Sequence, residues 1–468
     1  ISYNGYYAIN IPGNMPERLT AWEEQDFINQ SQLAAKGMAE WNAEKSSWIG
    51  NPNFNYRPLS NGRWDFFEAT NWLAEGTRKT MGQQSHSVSV SGGTKSLNYM
   101  VSANYYTKKG ILKYGADGND RYNLHAKISS DINKHIALGV NVRYQAKEIE
   151  TTSFGAGKIL SLLYSARGRQ PIYQPEEDIN ESPYNGDLHS NAIDIMKNGG
   201  SKISKYETFI GKADLTIKDF VKGLRVNLSA SRKASYYSES SEKRHLIWYD
   251  RTGTGIRKQI NNPNSLYKSK YSDYHDLLEA TINYEFDIRK INKFNILVGS
   301  TYENYRKDEM SATAKQMNSN DFFSFNYYDT LIAANTELSD DIEPWAMMSY
   351  FGRINYNFTD RYLFEANVRY DGSSRFRSGH RFGFFPSASV GWRISQEPWW
   401  NVKSEHISNA KVRFSWGSLG NAAGLSNYQY IQTLGISKSD YILDGLRQNY
   451  MSSPAALPGN LTWETADV

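Results

Sequence analysis

The chain has 468 residues, of which 14% are aromatic and 22% are charged, with a formal net charge of +4 and no cysteine. Such a small and dispersed charge gives no reason to expect a nucleic-acid partner, and the lack of cysteine excludes disulfide frameworks and thiolate metal sites. The apolar runs are shorter than the roughly 18 residues that a membrane-spanning helix needs, which excludes a helical membrane protein.

The first residues, ISYNGYYAIN, predict a strand and lack the charged start and apolar core of an export signal. We therefore expect the chain to begin within a longer protein. A long loop is predicted next, over residues 15–83, with one helix near residues 20–44. Thr20 followed three residues later by Glu23 forms a capping-box pattern at the start of that helix.

Strict alternation of apolar and polar residues then recurs along the chain and predicts strand after strand. The clearest pair covers residues 350–358 and 362–370, which Thr359, Asp360 and Arg361 join as a hairpin. The other segments with this alternation are 97–105, 122–128, 136–144, 209–217, 224–230, 278–286, 294–302, 388–394 and 412–416. About a dozen strands of about 10 residues are expected, a length suited to crossing a membrane.

The predicted connections alternate between short and long. The short links cover residues 93–96, 131–134, 219–223, 287–292 and 359–361, and the long ones cover 11–83, 147–203, 239–272, 305–344 and the stretch after Gly417. Outer-membrane barrels have short turns on one rim and long loops on the other. The sequence therefore predicts an all-β fold, a transmembrane antiparallel β-barrel with long extracellular loops and short periplasmic turns.

Aromatic residues cluster near the predicted strand ends, which is typical of the belts that lie at lipid headgroups. The candidates are Tyr105, Tyr106, Tyr144, Tyr284, Tyr302, Tyr370, Trp392, Trp399 and Trp400. The alternative is that aromatic residues favour any strand.

Charged residues on the polar side of the alternation are expected to face the interior of the barrel. The candidates are Arg143, Arg225, Arg353, Glu365, Arg369, Arg393 and Arg413, and Lys127 has the same pattern. One hypothesis is that some of them hold a plug or a polar substrate, because buried charges need partners. The alternative is that they only solvate the interior.

Aromatic residues in the predicted loops are candidates for contact with a substrate or with a partner that closes the barrel. Sugar rings present C–H faces that stack on aromatic planes. The candidates are Phe322, Phe323, Phe325, Tyr327 and Tyr328, with Trp248 as a weaker one. The alternative is that this loop packs against its neighbours.

No catalytic site is predicted, since no nucleophile set, metal-spaced histidine cluster or phosphate-binding glycine loop occurs in a supporting context. The acids Glu176, Glu177, Asp178 and Glu181 offer oxygen ligands for Ca²⁺ but lack the spacing of a calcium loop, so a solvated loop is the alternative. His86 and His125 are expected to be ordinary surface or interior residues, and Gly253 to Gly255 turn residues.

Five stretches of the sequence share motifs with a known family. They are SYNGYY, SVSVSGGTKSLNYMVSANYYTKKGIL, YFGRINYNFTDRYLFEANVRYDGSSRFRSGHRFGFFPSASVGWRISQEPWW, KVRFSWGSLGN and LTWETADV. These motifs resemble the SusC/RagA family of TonB-linked outer-membrane transporters, found in Bacteroidota. They occur from Ser2 to Val468 in the family's order, so residues 1–468 are expected to be part of the barrel domain that begins just after the plug.

The resemblance implies import of glycan or peptide fragments, a SusD-like surface lipoprotein as a lid, TonB acting through an N-terminal segment, and outer-membrane lipid around the wall. It also implies a plug and closing strands that do not occur between Ile1 and Val468. About a dozen strands against the roughly 22 of plugged transporters predict a partial barrel. The alternative function is a structural or docking subunit of a larger outer-membrane assembly, such as secretion or barrel-assembly machinery.

Overall fold

The structure, a computed structural model, describes residues 1–13, 15–39, 41–60, 64–175, 182–186, 190–250, 255–400, 407–422, 424, 426–431, 434–452 and 461–468. The strands are β1 (Ser2–Asn10), β2 (Tyr56–Pro58), β3 (Trp64–Phe66), β4 (Met81–Gly93), β5 (Leu97–Lys109), β6 (Asp117–Asp131), β7 (Ile136–Thr152), β8 (Ser201–Lys218), β9 (Leu224–Lys243), β10 (Leu246–Tyr249), β11 (Ile256–Ile260), β12 (Ser265–Ile288), β13 (Asn292–Lys315), β14 (Thr336–Phe358), β15 (Tyr362–Ser373), β16 (Phe382–Arg393), β17 (Lys411–Asn421), β18 (Gly435–Leu443), β19 (Leu446–Ser452) and β20 (Glu464–Asp467). The helices are α1 (Ala21–Lys36), α2 (Ala43–Ser47), α3 (Trp72–Gly76), α4 (Gly155–Ser165) and α5 (Ala192–Asn198).

Fourteen strands form one antiparallel sheet in the order β1-β4-β5-β6-β7-β8-β9-β12-β13-β14-β15-β16-β17-β20. The remaining strands form three separate hairpins, β2 with β3, β10 with β11, and β18 with β19. In the described residues β1 and β20 pair with the sheet on one side each and not with one another. The predicted all-β antiparallel fold is confirmed, as a wide sheet that is open between these two edges.

The short links form tight turns at the predicted places. Arg289 and Lys290 between β12 and β13, and Thr359 and Asp360 between β14 and β15, have φ from 52° to 59°. Two consecutive residues with positive φ match the right-handed twist of the flanking strands. The turns therefore fix the register, which pairs Ile288 with Asn292 and Phe358 with Tyr362.

One face of the sheet is apolar and exposed, and we call it the apolar face. A single row of cross-strand partners on it consists of Ile136, Ile217, Val226, Ile282 and Val298. Val298 keeps 56% of its surface and Ile282 keeps 50%. A water-soluble domain buries such a surface, whereas lipid covers it in a membrane barrel.

Aromatic side chains line both margins of the apolar face. Near the short turns, Phe286, Phe294 and Tyr356 stack in sequence, with ring centroids 5.0 Å and 4.7 Å apart. At the other margin, Tyr302 and Tyr370 are exposed. Both Tyr105 and Tyr106 were predicted to belong to an aromatic belt, but only Tyr105 lies on the apolar face, next to its cross-strand partner Tyr122. Tyr106 lies on the opposite face, with the Arg121 guanidinium 4.9 Å from its ring centroid.

The central strands are longer than predicted. β12 and β13 have 24 residues each and β14 has 23, so the expected links 239–272 and 305–344 shrink to 244–264 and 316–335. Beyond the lipid both faces of a strand contact water, so the apolar alternation ends while the backbone ladder continues. Alternation alone therefore marks the lipid-covered part of each strand and not its full length.

The predicted helix in the first loop is present but shorter. Thr20 Oγ1 accepts a hydrogen bond from the Glu23 amide at 3.3 Å, and Glu23 Oε2 accepts one from the Thr20 amide at 2.8 Å, which completes the capping box. The helix ends at Lys36 because Gly37 adopts φ 71°, so the expectation of one helix over residues 20–44 is wrong. Helices α3, α4 and α5 were not predicted.

None of the helices in the described part of the chain combines the length and the apolar character that a membrane crossing requires.

Candidate functional site

The face of the sheet opposite the apolar face carries the predicted charged residues, and we call it the polar face. Arg225, Asn283, Leu297, Arg353 and Asn367 form one row of cross-strand partners on it. Cross-strand partners project from the same side of a sheet. The strand periodicity places the rest of the predicted set on this face too, namely Arg143, Glu365, Arg369, Arg393 and Arg413.

The structure brings only some of these residues together. A depression of about 460 Å³ near the short turns contains Glu365 and Arg413. Farther from the turns, Arg369 donates to Asp371 Oδ2 at 2.7 Å and to Ser349 Oγ at 3.0 Å. Whether any of the seven contacts a plug or cargo stays a prediction.

The predicted aromatic loop between β13 and β14 divides into two sets. Phe323, Phe325 and Tyr328 pack against a buried cluster of Leu266, Ala314 and Met317. Phe322 and Tyr327 keep 58% and 52% of their surface and contact each other edge to face, with centroids 5.4 Å apart. Packing thus accounts for the first set, and only the second set is free to meet a ligand or partner.

Trp248 does not have the predicted exposed position. It is completely buried, and its Nε1 donates a hydrogen bond of 2.6 Å to Asp194 Oδ2. A Cβ atom at Gly186 would lie 2.6 Å from the indole, so only glycine fits beside it. The prediction that Trp248 contacts cargo is therefore wrong for this conformation, because the indole is part of a core.

That core joins four connections between strands into one unit, which we call the loop body. It consists of Trp72, Leu73, Leu112, Ile159, Leu163, Ala166, Ala192, Ile193, Ile195, Met196 and Trp248. These residues come from the connections that follow β3, β5, β7 and β9. Burial of this apolar surface gives the long-loop rim a defined shape. The residues of this core are far apart in the sequence, so their contact could not be inferred from it.

Asp194 is the one carboxylate among the buried polar residues of α5. Burial raises the pKa of Asp194, while hydrogen bonds from Asn198 and Trp248 and the charge of Lys197 act in the opposite direction. The Asp194 carboxylate accepts the hydrogen bond of the Trp248 indole N–H, which thereby has a partner within an apolar core.

Polar contacts attach the first long loop to the loop body. Arg18 donates to the carbonyl of Leu163 at 3.0 Å and to the carbonyl of Ala166, at the end of α4. Glu24, in α1, accepts from the Gly168 amide at 2.8 Å. A cation at the C-terminal end of a helix is favourably placed.

Sequence reasoning missed an aromatic arrangement on the polar face, where the long strands extend toward the loop body. Tyr206, Tyr237 and Tyr271 are cross-strand neighbours and form the tyrosine row, with centroid separations of 4.8 Å and 4.9 Å. Lys147 and Lys307 cover its two ends, 5.6 Å and 4.9 Å from the outer rings.

A second aromatic row runs four residues nearer to the short turns. His275, Tyr305 and Trp345 are its cross-strand partners and form the tryptophan row, in which Tyr305 and Trp345 stack with centroids 5.4 Å apart. Arg375 lies 5.4 Å from the Trp345 ring centroid. Tyr271 and Tyr305 fall in segments expected to be loops, and the other members lie just beyond the predicted strands. Only a continued period-two placement of aromatic residues beyond the apolar alternation could have revealed the two rows.

A polar row runs beside the tyrosine row on β8, β9 and β12 and beside the tryptophan row on β12, β13 and β14. It is made of Thr208, Ser235, Asp273, Lys307 and Glu343 in cross-strand register. Glu343 accepts from Asn427 at 3.0 Å, and Lys307 donates to Glu309. The three rows together place hydroxyl, carboxylate and ammonium groups next to aromatic rings on the polar face.

The residues that the structure describes contain no group of three His, Asp or Glu side chains able to hold a metal ion. The acids Glu176, Glu177, Asp178 and Glu181 lie outside the described residues, and so does Gly253. His86 and His125 are on strands, where they contact Tyr3 and Asn141.

Residues 162–467 match the family model described as TonB dependent receptor-like, beta-barrel. The TonB-dependent receptor P26 of Formosa agariphila is 24% identical over 477 aligned residues, which cover 100% of this chain and 43% of the relative. The TonB-dependent receptor SusC of Bacteroides thetaiotaomicron is 24% identical, over 87% of this chain and 41% of the relative.

Solved structures of the RagAB peptide importer share the fold. The open-open state matches 99% of this chain and 51% of the solved chain, with a TM-score of 0.74 and 19% identity. The closed-closed state matches the same shares, with a TM-score of 0.73. The chain thus spans about half the length of these solved chains and less than half of the curated relatives.

Proposed function

Because this chain belongs to the TonB-dependent receptor β-barrel family of the outer membrane, we propose that it forms the wall of an importer for nutrient fragments, either glycans or peptides. In this proposal it is the SusC-like barrel of a complex with a SusD-like surface lipoprotein. TonB would drive transport through a segment of the whole protein that also carries the plug. Proteins of this family are not enzymes, and we assign no catalytic residue.

The observation that carries the proposal is the division of one continuous sheet into two chemically different faces. The apolar face suits lipid, and the polar face offers charged and hydroxyl groups along the path between the two rims. A purely structural barrel needs only the first of these faces. The tyrosine, polar and tryptophan rows add the kind of surface that a passing polar solute would contact.

The names of the relatives and the exposed side chains beside the loop body support the proposal that a SusD-like lipoprotein covers this barrel. The similar solved structures are of the RagAB peptide importer, and the relative SusC is a TonB-dependent receptor. On this chain, α1 exposes Trp22, Phe27 and Leu33 beside the loop body. Large exposed apolar side chains suit a protein partner.

The proposal is tested by uptake in the native host. A strain that lacks the gene, complemented with the full-length protein, is compared with one complemented by a version that lacks the TonB-contacting segment. We expect accumulation of fluorescent oligosaccharides or of fluorescent short peptides only with the former, and loss of accumulation when the proton gradient is collapsed.

Equal uptake of every compound by the deletion strain and both complemented strains would contradict the import proposal. Stable co-purification with secretion or barrel-assembly machinery, together with that result, would favour the docking alternative. Co-purification with a surface lipoprotein and energised uptake would support import.

A further inference from the structure

We propose that three neighbouring short turns form a docking surface for the phosphate groups of anionic phospholipids in the periplasmic leaflet. The turns cover residues 132–135, 219–223 and 289–291, and we call them the basic rim. They join β6 to β7, β8 to β9 and β12 to β13, which follow one another in the sheet. The proposal concerns how the barrel is held in its membrane and does not depend on what the protein imports.

The basic rim carries more positive than negative charge. Its basic side chains are exposed and have no ion-pair partner within the part of the chain that the structure describes; they are Lys134, Lys222, Arg289 and Lys290. Asp219 is the one acid of the three turns. At the adjoining strand ends, Asp131 pairs with Lys218 at 3.2 Å, and Asp287 has Lys293 as its cross-strand partner on the polar face. An anionic group outside the barrel therefore meets four cations that are not engaged elsewhere.

Large apolar side chains accompany these cations in the turns and at the last residue of β12. They keep between 44% and 66% of their surface, and they are Ile132, Phe220, Val221, Ile288 and Ile291. Turns that face only water are usually built from small and polar residues. Exposed apolar side chains mixed with lysine and arginine are typical of segments that lie at a membrane interface.

The basic rim is at the depth of the phospholipid phosphates. Phe286 belongs to the aromatic margin of the apolar face, and Arg289 follows it by three residues. With a rise of about 3.4 Å per residue and a strand tilt of about 40°, Arg289 lies about 8 Å farther from the membrane centre than this margin. The headgroup region beyond the hydrocarbon is about 5 to 8 Å thick on each side of a bilayer.

Lipid is the partner that this position favours. Ile288 is two residues beyond Phe286 on the same face of β12, so the apolar face continues without a break to the basic rim. A lipid whose acyl chains cover the apolar face brings its own phosphate to this level. The Arg289 guanidinium can donate two parallel hydrogen bonds to phosphate oxygens, and the lysines supply point charges beside it.

Electron spin resonance of spin-labelled lipids tests the docking surface on the full-length protein in phosphatidylcholine vesicles. The motionally restricted fraction of each label measures how strongly that lipid associates with the protein surface. We expect phosphatidylglycerol to associate about twofold more strongly than phosphatidylcholine, averaged over all lipids around the barrel, because basic side chains at the membrane surface attract anionic lipids. In 1 M NaCl this preference should disappear, since the Debye length falls to about 3 Å.

The combined variant Lys222→Gln, Arg289→Gln and Lys290→Gln should remove the preference and leave phosphatidylcholine association unchanged. The matched control is Lys108→Gln, Lys109→Gln and Lys270→Gln. It removes the same charge from exposed positions toward the opposite rim that also have no ion-pair partner in the described residues. We expect the control to keep the preference. Native migration and heat-modifiability of each variant confirm that the barrel is folded.

Three results would overturn the docking surface: no preference for phosphatidylglycerol in the unaltered protein, an equal loss of preference in the variant and its control, or a preference that persists in 1 M NaCl. Sodium phosphate should weaken the preference only as much as NaCl of equal ionic strength. A stronger effect of phosphate would show that the rim binds the free anion and not the lipid, which also contradicts the proposal.

Discussion

The loop body and the sheet are stabilised in different ways. In the loop body, residues distant in sequence exclude water from a core around Trp248. In the sheet, apolar side chains such as Val298 remain exposed on the apolar face, and the order comes from the backbone ladder and from the lipid outside. The comparison teaches that one chain can keep apolar side chains away from water in two ways, by packing in the loop body and by lipid on the sheet.

The largest expected effect is in the loop body. Trp248→Ala removes a fully buried indole and leaves the Asp194 acceptor without its donor, which should cost about 3 to 5 kcal/mol of local stability. Native-state hydrogen exchange of the amides in α4 and α5 measures it. Phe322→Ala is the control, because that ring is exposed, and it should change exchange very little. Loss of barrel folding in Trp248→Ala would contradict the independence of the two regions.

The second expected effect is on the sheet. On β13, Val298 lies midway between the aromatic positions Phe294 and Tyr302, so Val298→Arg places a charge near the centre of the lipid layer. We expect a loss of about 2 to 4 kcal/mol in the free energy of folding into lipid vesicles. Leu297→Arg, one residue away on the polar face, should be nearly neutral. Equal effects of the two variants would refute the assignment of faces.

The third prediction concerns pH in the loop body. Burial raises the pKa of Asp194, so the native state holds its proton more tightly than the unfolded state does. Its contribution is therefore most favourable below the ordinary carboxyl pKa, and stability is lost as the pH rises through the raised native value. Hydrogen exchange of α5 between pH 4 and pH 7 should show this loss.

Asp194→Asn should remove that pH dependence, because the amide oxygen still accepts from Trp248 without carrying a charge. Asp194→Ala leaves the indole N–H unpaired and should cost about 1 to 3 kcal/mol at pH 4, with a smaller cost at pH 7. An unchanged pH profile in Asp194→Asn would show that another group is responsible.

The lipid-covered half of the fold was predictable because the lipid imposes a pattern on the sequence. The short turns and the alternation of residues 350–370 correctly located β14 and β15, since each lipid-facing position must be apolar. The extensions of β12, β13 and β14 lie beyond the lipid, so their positions need not be apolar. The alternation of apolar and polar residues therefore disappears there, although the backbone hydrogen-bond ladder continues.

The candidate site was predictable only in part, for the same reason. The seven charged residues of the polar face follow from the alternation, whereas Tyr271, Tyr305 and Trp345 lie where strands were expected to have ended. Trp248 was misassigned because a loop tryptophan looks the same in sequence whether it meets solvent or a core made by distant loops. Long-range packing of this kind leaves no periodic signal.

The smallest expected effect is at the start of α1, where the sequence signal and the structure agree in detail. Thr20→Ala removes the side-chain acceptor for the Glu23 amide and should cost about 1 kcal/mol, measured as faster hydrogen exchange in the first turn of α1. Ser31→Ala, at an exposed position within the same helix, should not speed exchange, because alanine favours a helix interior. The Glu24 contact with Gly168 attaches α1 to the loop body, so the fraying should stay within that turn and leave α4 unaffected. Faster exchange in α4 as well would mean that the first loop and the loop body open together.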